Sequence, residues 1–301
     1  MPEQWSARAV PRHRRALADG LEADSRRFRD EARRQRFVEA ARLEDEARGH
    51  HAAAWLVEGA DLYWVTHDMA ALAMDAAHDV PVFSVTDLPG PNGIVLFQRP
   101  LPPVLTPPVT LVDGSSWQGE VPVSGLWWHP WKPAQMRVSV LCRRADLPRP
   151  IHSGTGQLQS TSGMVLQRGQ VMDLTEPAEG VAAQHLPILA FLSSMSVLMM
   201  TPTVAERRSL DARTGGEPRP QTRPSDLVST IDLRPLRYVR TDEPGEGGRI
   251  YHHRWIVRGH WTHQPCGPGQ SERKLIYRAP YIKGPQDAPL LATDKVMVWR
   301  R

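Results

Sequence analysis

The chain has 301 residues, of which 41% are hydrophobic and 23% charged. This length suffices for one large or two ordinary domains, and the composition argues against wholesale disorder. The two cysteines are too few for a disulfide framework, and the first residues lack the apolar core of a signal peptide. No apolar run approaches the roughly 18 residues of a membrane span. We therefore expect a cytoplasmic protein without a membrane partner.

The formal net charge of +4 is unevenly distributed along the sequence. Residues 251–301 carry nine basic residues against three acidic ones, a balance of +6, whereas residues 51–250 carry 16 against 20, a balance of −4. Such an asymmetry is typical of a protein that meets phosphate groups or an acidic partner. A solubilising, Arg-rich sheet surface explains it equally well.

The N-terminal region, residues 1–79, is predicted to be helical. A sparse apolar stripe among charges of both signs predicts one long, exposed helix from Arg12 to Arg48. Because acidic residues interleave with the basic ones, we favour a solvated helix or a dimerising arm over a nucleic-acid contact. Further helices are expected at His51–Gly59 and, with Thr66 as N-cap, at Asp68–His78.

Residues 80–301 are predicted to form an α+β domain. Short β-type runs separated by Gly and Pro predict strands at Val80–Val85, Gly93–Phe97, Val109–Val112, Val121–Trp128, Met136–Leu141 and Thr230–Val239. The most apolar segment, Leu186–Met200, carries Pro187 in its first turn and predicts a central buried helix. We therefore expect N-terminal helices, a mixed or antiparallel sheet around this helix, and a C-terminal antiparallel β-hairpin.

Two short motifs in the middle of the chain have candidate functions. The aromatic cluster Trp127–Trp131 is interpreted as a core plug or a sheet-edge lid in preference to a base-stacking platform. The triplet Ser160-Thr161-Ser162 matches the Ser-Thr-Ser strand of ADP-ribosyltransferases, but no paired Glu-x-Glu follows it, and we attribute the match to chance.

The C-terminal residues 251–301 form the predicted basic sheet segment. In an extended strand from Arg254 to His263, the side chains of Arg254, Arg258 and His260 share one face, and Trp255 and Trp261 share the other. A hairpin that closes through Pro265–Ser271 adds Arg278 to the basic face. Lys274 and Lys283 then lie at its margins.

The first hypothesis for this face is nucleic-acid binding, with RNA or DNA as the partner. The arginines and lysines supply charge, and the aromatic residues supply rigidity or stacking. The candidate binding residues are Arg254, Arg258, Trp261, Lys274, Arg278 and Lys283. We expect no cofactor.

Catalysis is the second hypothesis: a metal-independent, ribonuclease-type or toxin-like phosphodiesterase. His260 would act as general acid or base, and Arg258 or Arg278 would stabilise the charged transition state. A second proton-transfer group is also required, and the candidates are His252, His253, Tyr277 and Lys283.

The third hypothesis is a zinc site formed by His260, His263 and Cys266, with His252 or His253 as a possible fourth ligand. Residues three apart on a strand lie on opposite faces, so this site needs a bend after Trp261. A purely structural Arg/His network is the remaining alternative.

Several segments together resemble an uncharacterised family of hypothetical proteins from actinobacteria and their phages and plasmids. They are Leu88–Phe97, Arg254–Trp261 (RWIVRGHW), Ala279–Pro285 (APYIKGP) and Val298–Arg300. The resemblance implies a setting in a phage or other mobile element, without implying an activity. That setting adds a further functional hypothesis, in which the protein is a host-takeover or defence-related factor that binds a host protein. Homodimerisation through the N-terminal helix is a further expectation.

Overall fold

The computed structural model describes residues 5–161, 163–169, 171–174, 185–240, 252–285 and 288–291. Within these ranges the helices are α1 (Val10–Ala32), α2 (Phe37–Glu58), α3 (His67–Ala77) and α4 (Leu186–Met199). The strands are β1 (Asp61–Val65), β2 (Val82–Ser84), β3 (Gly93–Leu105), β4 (Val109–Thr110), β5 (Ser116–Trp117), β6 (Glu120–Pro130), β7 (Gln135–Arg143), β8 (Leu158–Ser160), β9 (Met164–Gln167), β10 (Val171–Asp173), β11 (Ala205–Asp211), β12 (Leu227–Leu233), β13 (Arg237–Arg240), β14 (Trp255–Val257), β15 (His260–Cys266), β16 (Glu272–Arg278) and β17 (Tyr281–Gly284).

The main sheet has eight strands, in the order β11-β12-β1-β3-β6-β7-β8, with β9 also paired to β7. β1 runs parallel to both β3 and β12, whereas the other pairs are antiparallel. The sheet is therefore mixed, and the predicted α+β class is confirmed.

Helices cover both faces of this sheet. Side chains of a strand alternate between its faces, so Tyr63 and Val65 of β1 join a core with α3 and α4. Leu62 and Trp64 join a second core with α1 and α2. The sheet thus separates two helical layers, and each layer encloses a different candidate site.

The prediction for the N-terminal region is wrong in three respects. The expected helix from Arg12 to Arg48 ends at Ala32, and α2 begins at Phe37 and includes the segment predicted as a second helix. α1 is not an exposed arm, because Leu17 and Leu21 are buried against the sheet. β1 was missed, since a strand buried on both faces has a continuous apolar run instead of an alternating one.

The remaining elements follow the predictions closely. α3 begins after Thr66, and α4 has Pro187 in its first turn with most of its residues buried. Each predicted run between Val80 and Leu141 contains a strand, whereas Thr230–Val239 overlaps two strands, β12 and β13. No helix in the described part of the chain is long and apolar enough to cross a bilayer.

The predicted C-terminal hairpin is present as the antiparallel pair β15–β16, in which His260 lies opposite Arg278 and Trp261 opposite Tyr277. Beyond Gly259 the pairing continues as β14 with β17, which places Trp255 opposite Lys283. β13 adds to the other edge of β17 in parallel.

Candidate functional sites

The inner face of the hairpin packs on α3. Tyr277 is 4% exposed, its ring centroid lies 5.1 Å from that of Trp261, and Trp261 Nε1 donates to the carbonyl oxygen of Ala76 at 2.8 Å. Burial raises the pKa of Tyr277 to about 12, and the nearby carboxylate of Asp75 adds to the increase. The structure therefore places Tyr277 in the core, with the half-buried Trp261 packed against it, on the face opposite to His260 and Arg278.

The outer face of the hairpin presents His260 and Arg278. They are direct partners across β15 and β16, and both side chains are exposed. Lys274 lies four residues before Arg278 on the same strand, so the two share a face. These three of the predicted residues are brought together as expected.

The other predicted basic residues contact protein groups. Arg254 is half-buried, and its Nε donates to the carbonyl oxygen of Ala288 at 2.7 Å. Arg258 is exposed and donates from Nη2 to Asp75 Oδ1 at 3.2 Å. The Lys283 ammonium lies 6.0 Å from the ring centroid of Trp255. Arg254 is therefore a tether for the C-terminal segment, and Arg258 pairs with α3.

A cavity of about 1170 Å³ lies beside β16, between the hairpin and the C-terminal end of α4. We call it the basic groove. Its charged lining consists of Arg237, Arg273, Lys274, Arg278, Asp87 and Glu272. All four basic residues are exposed. Arg237 and Arg273 are additions to the predicted set. The parallel β13–β17 pair places Arg237 at the groove, and no local sequence pattern predicts this pairing.

The predicted zinc site is not assembled. β15 runs without interruption from His260 to Cys266, so the bend that would turn His263 toward His260 is absent from this described strand. Among the described residues, one group of three ligand-type side chains has its donor atoms within 4.8 Å of one another: Asp24, His50 and His152. Those residues line a second cavity.

This second cavity, the helix–sheet cleft, has a volume of about 650 Å³ and lies between the α1–α2 pair and strands β6–β8. Its polar and aromatic lining includes Asp24, Arg27, Phe28, Arg42, His50, Trp127, His129, Trp131, Arg137, His152, Ser160 and Thr161. A concave site with convergent polar groups between aromatic walls is the usual form of a small-molecule or active site.

A buried hydrogen-bonded chain runs along one wall of the cleft. The carboxylate oxygen Asp24 Oδ2 lies 3.1 Å from His152 Nδ1, and His152 Nε2 lies 2.9 Å from Ser160 Oγ and 3.1 Å from the Ser160 carbonyl oxygen. Ser153 donates to Asp24 Oδ1 from its hydroxyl at 2.5 Å. Burial acts to raise the pKa of Asp24, but the hydrogen bonds from His152 and Ser153 outweigh it, and the pKa is lowered.

The opposite wall combines aromatic rings with a neutral histidine and a half-buried arginine. The His129 ring stacks on Trp127 at 4.1 Å, and burial lowers the pKa of His129 to about 4. The Arg137 guanidinium lies 4.5 Å from the ring centroid of Trp131. Trp131 is 41% exposed. The predicted core role fits Trp127 and Trp128, whereas Trp131 stands at the cleft.

The sequence carried only partial signals of this cleft. The aromatic cluster and the Ser-Thr-Ser triplet each mark one wall, but Asp24 and His152 are 128 residues apart and belong to no motif. No protein-family model matches the chain, and no curated protein matches it. Function is therefore inferred from the geometry of the two sites.

Proposed function

We propose that the protein binds nucleic acid, RNA or DNA, in the basic groove. The observation that carries this proposal is a cavity lined by four exposed basic side chains, Arg237, Arg273, Lys274 and Arg278, together with the acidic residues Asp87 and Glu272. Arginine is suited to bidentate phosphate contacts, and clustered cations release counterions from a polyanion.

The groove also offers apolar surface to nucleic-acid bases. Tyr281 and Pro280 line it beside Arg278, and Tyr281 is half-buried. A tyrosine ring next to a row of cations is the combination that proteins use for single-stranded nucleic acid. Of the binding residues predicted from the sequence, Lys274 and Arg278 line this groove, and Arg237 and Arg273 are new members of the set.

The test is the salt dependence of affinity for single-stranded and duplex RNA and DNA, measured by fluorescence anisotropy from 50 to 200 mM salt. Arg278→Ala and Lys274→Ala should each weaken binding across sequences. Each should also reduce the slope of log affinity against log salt by about 0.7–0.9, because one phosphate contact is lost.

The matched control is Arg33→Ala. Arg33 is an exposed arginine paired with Asp30 just beyond α1, on the other side of the sheet, and its removal should leave the slope unchanged. Absence of binding to any of these oligonucleotides at 50 mM salt would contradict the proposal. Host protein retained in a pull-down after nuclease treatment would then favour the protein-binding alternative.

Metal-independent cleavage of RNA at the hairpin is the second candidate function. It is favoured by the direct pairing of His260 with Arg278 on an exposed face. His260 would accept the proton of the attacking hydroxyl as its oxygen bonds to phosphorus, and Arg278 would stabilise the charge that develops on the phosphate. The bond from phosphorus to the leaving oxygen breaks, and that oxygen would take its proton from water. Tyr277 is buried and its pKa is about 12, so it is not the second proton-transfer group.

His260→Ala should reduce cleavage about 10²–10⁴-fold while nucleic-acid affinity stays nearly constant. His263→Ala, an exposed histidine of the same strand on its other face, is the control. Cleavage should persist in EDTA. Equal loss in both variants, or a requirement for added metal, would remove His260 from the mechanism. The mobile-element setting stays a prediction that rests on sequence resemblance.

A further inference from the structure

We propose that Asp24, His50 and His152 bind a divalent transition-metal ion at the wall of the helix–sheet cleft. One donor atom from each residue lies within 4.8 Å of the other two. In a tetrahedral zinc site with bonds of about 2.0–2.1 Å, ligand atoms stand about 3.3–3.4 Å apart. Asp24 Oδ2 and His152 Nδ1 are already 3.1 Å apart, so the site closes with a small movement of His50.

The second atom of each ligand is held by a neighbouring group. His50 Nδ1 lies 2.9 Å from the carbonyl oxygen of Glu46, which makes Nε2 the nitrogen with a free lone pair. The Ser160 carbonyl oxygen fixes His152 Nε2 at 3.1 Å, and Ser153 fixes Asp24 Oδ1. Metal-binding histidines ordinarily donate their other N–H to a backbone carbonyl or carboxylate, and ligating carboxylates are hydrogen-bonded in turn.

The same contacts also resemble an Asp–His–Ser nucleophile relay, and the position of the His152 proton distinguishes the two. In a relay, His152 Nε2 must be unprotonated to accept the proton of Ser160 Oγ. A lone pair on Nε2 would then face the carbonyl oxygen at 3.1 Å. Metal binding instead replaces the Nδ1 proton that His152 shares with Asp24 Oδ2. The imidazole then carries its proton on Nε2 and donates it to the Ser160 carbonyl oxygen, and this metal-bound tautomer disables the relay.

The ligand set defines the class of ion and of site. Two imidazoles and one carboxylate suit borderline ions such as Zn²⁺, Co²⁺ and Fe²⁺ better than the oxygen-preferring Ca²⁺ or Mg²⁺. Three protein ligands leave coordination positions open, as in catalytic sites. All three residues line the cleft, whose other charged side chains are Arg27, Arg42, Arg137, Glu31 and Glu46. The open coordination positions would face this cleft, where water or a substrate group can occupy them.

The test is titration of the chelator-treated protein with Zn²⁺ and Co²⁺, followed by calorimetry, by the visible spectrum of bound Co²⁺ and by thermal denaturation. We expect one ion per chain and a higher melting temperature on binding. His50→Ala should weaken binding at least 100-fold and abolish the thermal shift. Its half-buried position makes this variant less disruptive than a change at Asp24 or His152.

His51→Ala is the matched control, because His51 is the adjacent residue, is exposed and pairs with Glu22 instead. It should bind the ions as the wild type does. Failure to bind one ion per chain, equal affinity in the His50→Ala and His51→Ala variants, or loss of binding only on His263→Ala would overturn the proposal. Covalent labelling of Ser160 by a fluorophosphonate would also overturn it, in favour of the nucleophile relay.

Discussion

His129 lies on β6 with 2% of its surface exposed, and its Nδ1 is 2.8 Å from the carbonyl oxygen of Pro130. Desolvation is the main reason that its pKa falls to about 4, since the charged imidazolium would lose its hydration between Trp127 and the sheet. The Pro130 carbonyl opposes the decrease, and Arg137 adds to it. His129 is therefore neutral at pH 7.

This environment predicts a loss of stability on acidification. Below pH 6.5 the unfolded chain protonates His129, whereas the folded chain does so only near pH 4. The free energy of unfolding therefore decreases as the pH is lowered through that window. From pH 7 to pH 5 the loss is about 2 kcal/mol. Urea denaturation of wild type and His129→Gln at both pH values should show that the substitution removes most of this dependence. His51→Gln, at an exposed position, should retain it; equal slopes in all three proteins would contradict the assignment.

At the scale of elements, the packing of the hairpin requires a glycine beside the Tyr277 ring. A Cβ atom at Gly259, between β14 and β15, would overlap the phenol of Tyr277, whose buried ring packs against Trp261. Gly259→Ala should lower the free energy of unfolding by about 1–3 kcal/mol, as overpacking does. Gly49→Ala is the control, because Gly49 lies within α2 with nothing within 4 Å of an added Cβ. Alanine there should stabilise by up to about 1 kcal/mol. Equal effects of the two substitutions in chemical denaturation would show that Gly259 is not tightly packed.

The elements that the sequence predicted are those with strong local patterns. α4 is uniformly apolar with a proline in its first turn, and β15–β16 alternates around a Gly/Pro turn. The break between α1 and α2 was missed because Arg33–Arg36 contains neither glycine nor proline. Phe37 instead adopts a positive φ of 53° at an 88% exposed position. That conformation is uncommon for a non-glycine residue and has no composition signal.

The two candidate sites also differ in how far the sequence predicts them. The hairpin face was predictable because a strand period of two assigns its residues to faces once one register is assumed. The helix–sheet cleft was not, since α1, α2 and the segment before β8 meet only through tertiary packing. In the sequence, Asp24 is one of many charged residues in α1. It is buried because the loop at His152–Ser153 packs against that helix, a contact that no local pattern predicts.

At the scale of the whole molecule, the main sheet stands between the two candidate sites. The cleft belongs to the α1–α2 layer, whereas the basic groove belongs to the layer of α3, α4 and the hairpin. Homodimerisation through the N-terminal helices stays a prediction; α2 exposes Phe37 and Trp55 at its two ends, 88% and 72% accessible. Neither residue lines the cleft or the groove.

This separation predicts that the two binding events are independent. Arg278→Ala should weaken nucleic-acid binding without changing Zn²⁺ affinity, and His50→Ala should do the reverse. The measurements are anisotropy with and without saturating Zn²⁺, and zinc calorimetry with and without oligonucleotide. Because coupling between sites is reciprocal, any factor by which Zn²⁺ changes oligonucleotide affinity must reappear as the same factor in the converse experiment. We expect that factor to be below about 2, since the two sites share no lining residue. A reciprocal factor of about 10 or more would mean that bound nucleic acid reaches the cleft or that the sheet transmits a change between its faces, and the two sites would then form one functional unit.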